Sequence, residues 1–207
     1  MSNCVVSVAF REPYLTHSAR QEKHYGDYNR IVFRDELPIK GGSIIGEELI
    51  PTFQKSLYGF KPHAIQRAID LGYKKIIWLD PSVLPTSDIK ILFDALDEHP
   101  ILNVLGEHKL SKMTSDKALL YFKVQPSEID NINHLGGTIY GFNFEHPKAV
   151  EVFNLWKQAE EEGAFGNQNE FMAGHWADES CMALCMYKAG VPQYQEYKFT
   201  YVNQKNL

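Results

Sequence analysis

The sequence predicts an α/β domain with a mixed, mostly parallel sheet flanked by helices. Short apolar, β-branched runs alternate with amphipathic helical stretches along the chain. Several of those runs are apolar throughout, as strands covered on both faces are. The stretches between them carry the prolines, glycines and capping residues that start and stop helices. With 207 residues, 44% of them hydrophobic, the chain can bury a sizeable core, and one domain over residues 1–207 is expected.

Taken in order, "CVVSVAF" (Cys4–Phe10) reads as a buried first strand. Pro13–Tyr25 reads as a helix opening at a proline, and Tyr28–Arg34 as a second strand. Asp35–Phe60 is rich in Gly and Pro without a clear period, so it reads as a long loop of the kind that borders binding sites. "KPHAIQRAIDLGY" places Ala64, Ile65, Ala68, Ile69 and Leu71 on one helical face, with Gly72 as its stop. Lys74–Asp80 is a third strand, ending in an aspartate followed by proline. Ser87 and Asp88 cap the next helix, and Ile101–Gly106 is another strand. Glu107–His134 shows no readable pattern. Gly136–Glu145 is a strand with glycines at its mouth, followed by an amphipathic helix with Val150, Phe153, Leu155 and Trp156 as core candidates. "DESCMALCMYKAG" is the last helix, acidic in its first turn and closed by Gly190. "QYQEYKFTYV" closes as strand or extended tail. There is no internal repeat, low-complexity tract or charge block.

Composition excludes several functions. The net charge is −5 and the basic residues are scattered, so no nucleic-acid partner is expected. No stretch is long and apolar enough to span a membrane. "MSNCVVSVAF" lacks a basic n-region and reads as a strand rather than a signal peptide. The three cysteines, with Cys181 and Cys185 at helical i, i+4 spacing, read as free buried thiols rather than a disulfide. His175 with those two thiols lacks a fourth zinc ligand. A reducing, cytoplasmic location is expected, or membership in a longer polypeptide.

In open α/β sheets, ligands sit beyond the carboxyl ends of strands. Asp80, Gly136–Gly137 and Phe10–Arg11 are the candidates to border a crevice there. "GGSIIGEE" has the glycine spacing of a Walker loop, but Glu47 stands where lysine is required, and a carboxylate repels phosphate. No G-x-G-x-x-G follows the first strand, which argues against a dinucleotide enzyme. A strand-end carboxylate can instead hold a divalent metal through hard oxygen ligands.

Three segments carry a resemblance. "KPHAIQRAIDLGYKKIIWLDPSV", "LGGTIYGFNFEHPKAVEVFNLW" and "HWADESCMALCMYKAGV" resemble, in this order, segments of GT-A-fold nucleotide-sugar-dependent glycosyltransferases. These are a lysine-proline pair and helix leading to the aspartate strand, the glycine-rich strand beside the donor sugar, and the acidic helix start. With the first strand, the likeness spans most of the chain. It implies a GT-A-like, Rossmann-like single domain. It also implies a nucleotide-sugar donor, with a UDP-sugar favoured, and a glycan or glycoprotein acceptor. The cofactor it implies is Mn²⁺ or Mg²⁺. The family's Asp-x-Asp is here Asp80-Pro81-Ser82, and a serine hydroxyl is a weaker metal ligand than a carboxylate.

The resemblance implies roles residue by residue, each beside a plainer alternative. Asp80 and Ser82 hold the metal, or Asp80 caps the turn before Pro81. Phe10, Arg11 and Tyr14 dock the nucleotide base, or Phe10 is core. Lys61 faces the diphosphate, or is a solvated lysine; a cation at a helix start is anomalous, which favours the first. Gly136 and Gly137 let backbone approach the sugar, or form a bulge. His175 and Trp176 wall the sugar site, or Trp176 is buried. Asp178 is the catalytic base if the transfer inverts, or only orients the sugar if it retains, and Glu179 is a substrate ligand, or one of them only caps the helix. Two rivals stand beside the transferase. A sugar nucleotidyltransferase would want a glycine-rich basic loop after the first strand, which "REPYLTHSAR" is not. A non-catalytic nucleotide-sugar or carbohydrate-binding module is favoured by Ser82.

Overall fold

The structure is a computed structural model describing residues 3–34, 43–45, 56–167, 169–170, 173–194 and 197–204. In chain order its strands are β1 (Asn3–Ala9), β2 (Asn29–Arg34), β3 (Ser43–Ile45), β4 (Lys75–Leu79), β5 (Val83–Pro85), β6 (Ile101–Lys109), β7 (Asn133–Asn143) and β8 (Tyr201–Asn203). Its helices are α1 (Tyr14–Gln21), α2 (Phe60–Asp70), α3 (Lys90–Glu98), α4 (Asp116–Phe122), α5 (Pro147–Glu161) and α6 (Ala177–Ala189).

The main sheet runs β3-β2-β1-β4-β7-β6. The first four strands pair parallel. β7 is antiparallel to both β4 and β6, so it alone reverses direction. β5 and β8 pair antiparallel as a second, small sheet. Both faces of the main sheet are covered, and alternate residues on one strand serve opposite sides. Cys4, Val6, Val8, Ile76, Trp78, Tyr140 and Phe142 join the large core containing Ala64 and Ile65 of α2, Phe153 and Trp156 of α5, and Cys181 and Cys185 of α6. Val5, Ile77, Leu79 and Ile139 turn the other way and pack with Leu92, Phe93 and Leu96 of α3. That two-sided burial makes the strands read as continuous apolar runs. No helix among the described residues is long and apolar enough to cross a membrane.

Most predicted elements lie within a few residues of the observed ones. α1 stops at Gln21 and the chain tightens into a 3-10 turn over Glu22–His24. Most of the predicted loop 35–60 lies outside the described residues, as does most of the glycine stretch 41–48. The unreadable stretch 107–134 holds the end of β6, two 3-10 turns, the seven-residue α4 and the first residues of β7. Its register with β7 shifts twice, between Asn103 and Val104 and between Leu105 and Lys109, which breaks the alternation a strand would show.

The topology places the site. Strand order switches between β1, flanked by β2, and β4, so a crevice opens at their carboxyl ends. Because β7 is antiparallel, its early residues lie beside the end of β4, with Leu79 opposite Ile139. The next backbone bond, Asp80 N–H to the Thr138 carbonyl at 2.9 Å, carries that pairing beyond the strand.

Candidate functional site

α2 and α6 begin at this end of the sheet, and their first turns meet beside β7. Lys61 belongs to the stripe Lys61, Ala64, Ile65 and Ala68 that α2 buries. Its Nζ donates to Asp178 Oδ2 at 2.6 Å and to the Gly137 carbonyl at 3.0 Å. The rings of Tyr58, Trp78 and Tyr140 surround the ammonium at 4.8, 5.6 and 5.5 Å. Tyr140 Oη donates to the same Asp178 oxygen at 3.1 Å. Trp156 Nε1 donates to the Asp178 carbonyl at 3.0 Å, which ties α5 to the start of α6.

Glu179 points to the other side of Gly137. It accepts the Gly137 N–H at 2.6 Å on Oε1, and its Oε2 lies 2.7 Å from His134 Nε2. One residue of β7 thus gives its carbonyl to Lys61 and its N–H to Glu179. A Cβ on Gly137 would lie 2.6 Å from Glu179 Oε1 and 2.7 Å from Lys61 Nζ, so a larger residue requires both charged side chains to shift. Gly137→Ala is expected to cost about 1–3 kcal/mol through this overpacking. Chemical denaturation checks it, and an unchanged midpoint would mean both side chains can retreat. At Gly136 the nearest atoms to an added Cβ are 3.6 Å away on Val104, so alanine fits there.

The electrostatics follow from burial. Dehydration lowers the affinity of Lys61 for its proton, but the carboxylates of Asp178, Glu179 and Asp80 outweigh it, and its pKa is raised. Burial raises the Asp178 carboxyl to about 6; Lys61 and Tyr140 pull it down while Glu179 pushes it up. The pair is therefore ionised at neutral pH. The Asp178 side chain is 1% exposed and that of Glu179 17% exposed, so the second carboxylate is the one open to a ligand.

Beside this cluster lies a cavity of about 320 Å³, lined by Val8, Phe10, Tyr14, Leu57, Tyr58, Phe60, Asp80 and Pro81. Phe10 serves both roles offered to it: it is buried, its ring lies 6.4 Å from that of Phe60, and it lines the cavity. Arg11 is exposed, with φ of 62°, and Tyr58 has φ of 60°. With Ala177 at φ 36°, three of the four described non-glycine residues in this region of φ border the site. Asp80 sits at the cavity's edge, and its Oδ1 accepts the Ser82 N–H at 2.8 Å. Ser82 is 1% exposed, and its carbonyl accepts the Gln204 N–H at 2.6 Å.

The structure thus brings Lys61, Gly137, Asp178 and Glu179 into direct contact. It joins Asp80 to them through β7 and sets Phe10 and Tyr14 in the neighbouring cavity. His175 lies apart and buried, its Nδ1 accepting from Ser115 N–H at 3.2 Å and its Nε2 3.1 Å from the Ala164 carbonyl. Trp176 is exposed instead, and His134 sets an edge against its ring. Sequence reasoning missed His134, Tyr58, Trp78 and Tyr140. The signal for two of them was a pairing, since Trp78 and Tyr140 face each other across β4 and β7.

No family model and no curated protein matches this chain. Solved structures do. Mouse xyloside xylosyltransferase 1, in its apo form, superposes with a TM-score of 0.52 at 11% identity, over 94% of this chain and 84% of that one. The apo WbbM bifunctional glycosyltransferase superposes with a TM-score of 0.51 at 11% identity, over 93% of this chain and 38% of that one. The chain therefore has a GT-A-like glycosyltransferase fold.

Proposed function

We propose that this chain transfers a hexosyl group from a nucleotide diphosphate sugar, a UDP-sugar first among candidates, to a hydroxyl of a glycan or glycoprotein. One observation carries the proposal: β7 links Asp80, at the edge of an aromatic-lined cavity, to a buried lysine and two carboxylates through consecutive residues Thr138 and Gly137. The cavity volume and its rings suit a nucleoside. Asp80 then faces the diphosphate, and Gly137 the sugar.

In the reaction the bond between the anomeric carbon and the diphosphate oxygen breaks. A bond from that carbon to the acceptor oxygen forms. The diphosphate leaves with the electron pair, and the acceptor's proton passes to a carboxylate. Asp178, whose carboxyl burial pushes up to about 6, is the proposed proton acceptor, on the condition that substrate binding opens a path to its enclosed side chain. Glu179 has the second claim, because its side chain is the more exposed. Lys61 keeps the carboxylate and the Gly137 carbonyl in place.

A divalent ion fits the donor chemistry as a partner of the substrate rather than of a protein cage. No three His, Cys, Asp or Glu side chains converge on one point among the described residues. One carboxylate completed by substrate phosphates and water is a common way to hold Mg²⁺. Asp80 is that carboxylate, with Oδ2 not engaged by the Ser82 N–H that Oδ1 accepts. The chemistry that Mn²⁺ or Mg²⁺ would supply when held there is neutralisation of charge on the leaving diphosphate. Calorimetry of UDP-sugars with and without Mn²⁺ tests this: Asp80→Ala is expected to lose the metal-dependent part of donor affinity while keeping the fold. Equal donor affinity in wild type and variant, metal present, would remove Asp80 from the site. A chain that binds donor but turns nothing over would be the non-catalytic module that Ser82 in place of a second aspartate favours.

A further inference from the structure

The three tryptophans divide sharply. Trp78 and Trp156 are fully buried, and their indole N–H groups donate to the Gly137 and Asp178 carbonyls at 3.3 and 3.0 Å. Trp176 is 38% exposed and sits at the start of α6, next but two to Glu179. Its backbone N–H is tied to the Met113 carbonyl at 3.2 Å. The His134 ring meets its ring edge-on at a centroid distance of 5.2 Å and an angle of 72°. His134 in turn fits only because residue 106 is glycine, since a Cβ there would collide with Nδ1. The exposed indole is thus met on one side by a buried ring.

Hydrogen-bonding capacity lies beside it. Among the described residues each Glu179 oxygen meets one partner, Gly137 N–H or His134, and a carboxylate oxygen can accept two bonds. Position along β7 orders the groups. Thr138 meets Asp80, Gly137 meets Glu179, and His134 meets Trp176. One carboxylate reaches both Gly137 and His134, so the groups that follow Asp80 along β7 form a single neighbourhood that ends at Trp176.

We infer that Trp176, with Glu179 and the positioning residue His134, forms an acceptor subsite for a pyranose ring, so that the acceptor is a carbohydrate rather than a polypeptide hydroxyl. This rests on the transfer reading above and narrows its acceptor. The apolar C–H face of the ring packs on the indole, and its hydroxyls donate to Glu179. His134 has one nitrogen on Glu179 and the other turned into the protein, so it acts through Glu179 and not on the sugar.

Tryptophan emission tests it directly, because only Trp176 meets solvent among the three. The full chain is titrated, without donor, with xylo-, gluco-, galacto- and manno-oligosaccharides and separately with a Ser/Thr peptide. Expected is a saturable emission change with at least one oligosaccharide series and none with the peptide. Saturation-transfer NMR with the same sugar should show about a 3- to 10-fold loss of affinity in Trp176→Ala. His134→Phe keeps a ring against Gly106 but removes the bond to Glu179, and a loss of about tenfold is expected with an unchanged melting temperature. No response to any sugar, a response to the peptide alone, or full affinity in Trp176→Ala would overturn the inference. Sugar binding through Trp176 in a chain that binds no nucleotide sugar would uphold the subsite and sink the transfer reading.

Discussion

Lys61→Met is expected to destabilise the protein by about 3–5 kcal/mol, because it leaves Asp178 buried without its cation, either as an unpaired charge or as a carboxyl that must take up a proton to fold. Tyr140 Oη and the backbone around Asp178 cannot replace a full charge at 2.6 Å. The ammonium also fills a cage of three rings, which a thioether occupies less well. The double variant Lys61→Met with Asp178→Leu should regain most of the loss, since apolar groups of similar volume often replace a buried ion pair at little cost. Urea unfolding measures both. A loss under about 1 kcal/mol in the single variant, the size seen for exposed pairs, would mean the ion pair is not closed in solution.

Asp178→Asn is expected to keep donor binding and lower turnover by about 10²- to 10⁴-fold, the range for loss of a general base. An amide still accepts from Lys61 and Tyr140 but takes no proton at neutral pH. In the wild type, activity should fall as pH drops through about 6, where the Asp178 carboxyl takes up its proton. That acid limb should vanish in the variant's residual activity. Glu179→Gln is the comparison. Full activity in Asp178→Asn with a deep loss in Glu179→Gln would move the proton acceptor one position along the chain. Loss of acceptor affinity alone, with normal turnover at saturation, would make the affected residue a ligand rather than a base.

The contrast between these two carboxylates shows how far the residues could be read in advance. Both were visible as acids opening a helix. Consecutive helical residues point about 100° apart, so one faces the core and one the crevice, but the sequence does not say which. Lys61 was visible too, and its setting could have been read more closely: it continues the stripe Ala64, Ile65 and Ala68, which places it inside. The strands ending at Phe10 and Asp80 were readable because burial on both faces makes them apolar throughout. β7 was found only from Gly136 onward, so His134 went unnoticed ahead of it. Irregular register with β6 hides the period there, and strand direction leaves no mark in a sequence. His175 and Trp176 are neighbours with opposite surroundings, set by a turn rather than by residue type.

The second, small sheet bears on the turn that carries Asp80. β8 pairs with β5, three residues past Asp80. Gln204 donates its N–H to the Ser82 carbonyl and its amide to the carbonyls of Pro81 and His17, at 2.6, 2.9 and 3.1 Å. Gln21 reaches the Asp80 and Val83 carbonyls from α1. Residues 201–204 thus form a clasp over the turn that aims Asp80. Loosening that clasp is therefore a way to loosen the site without touching any residue that lines the cavity.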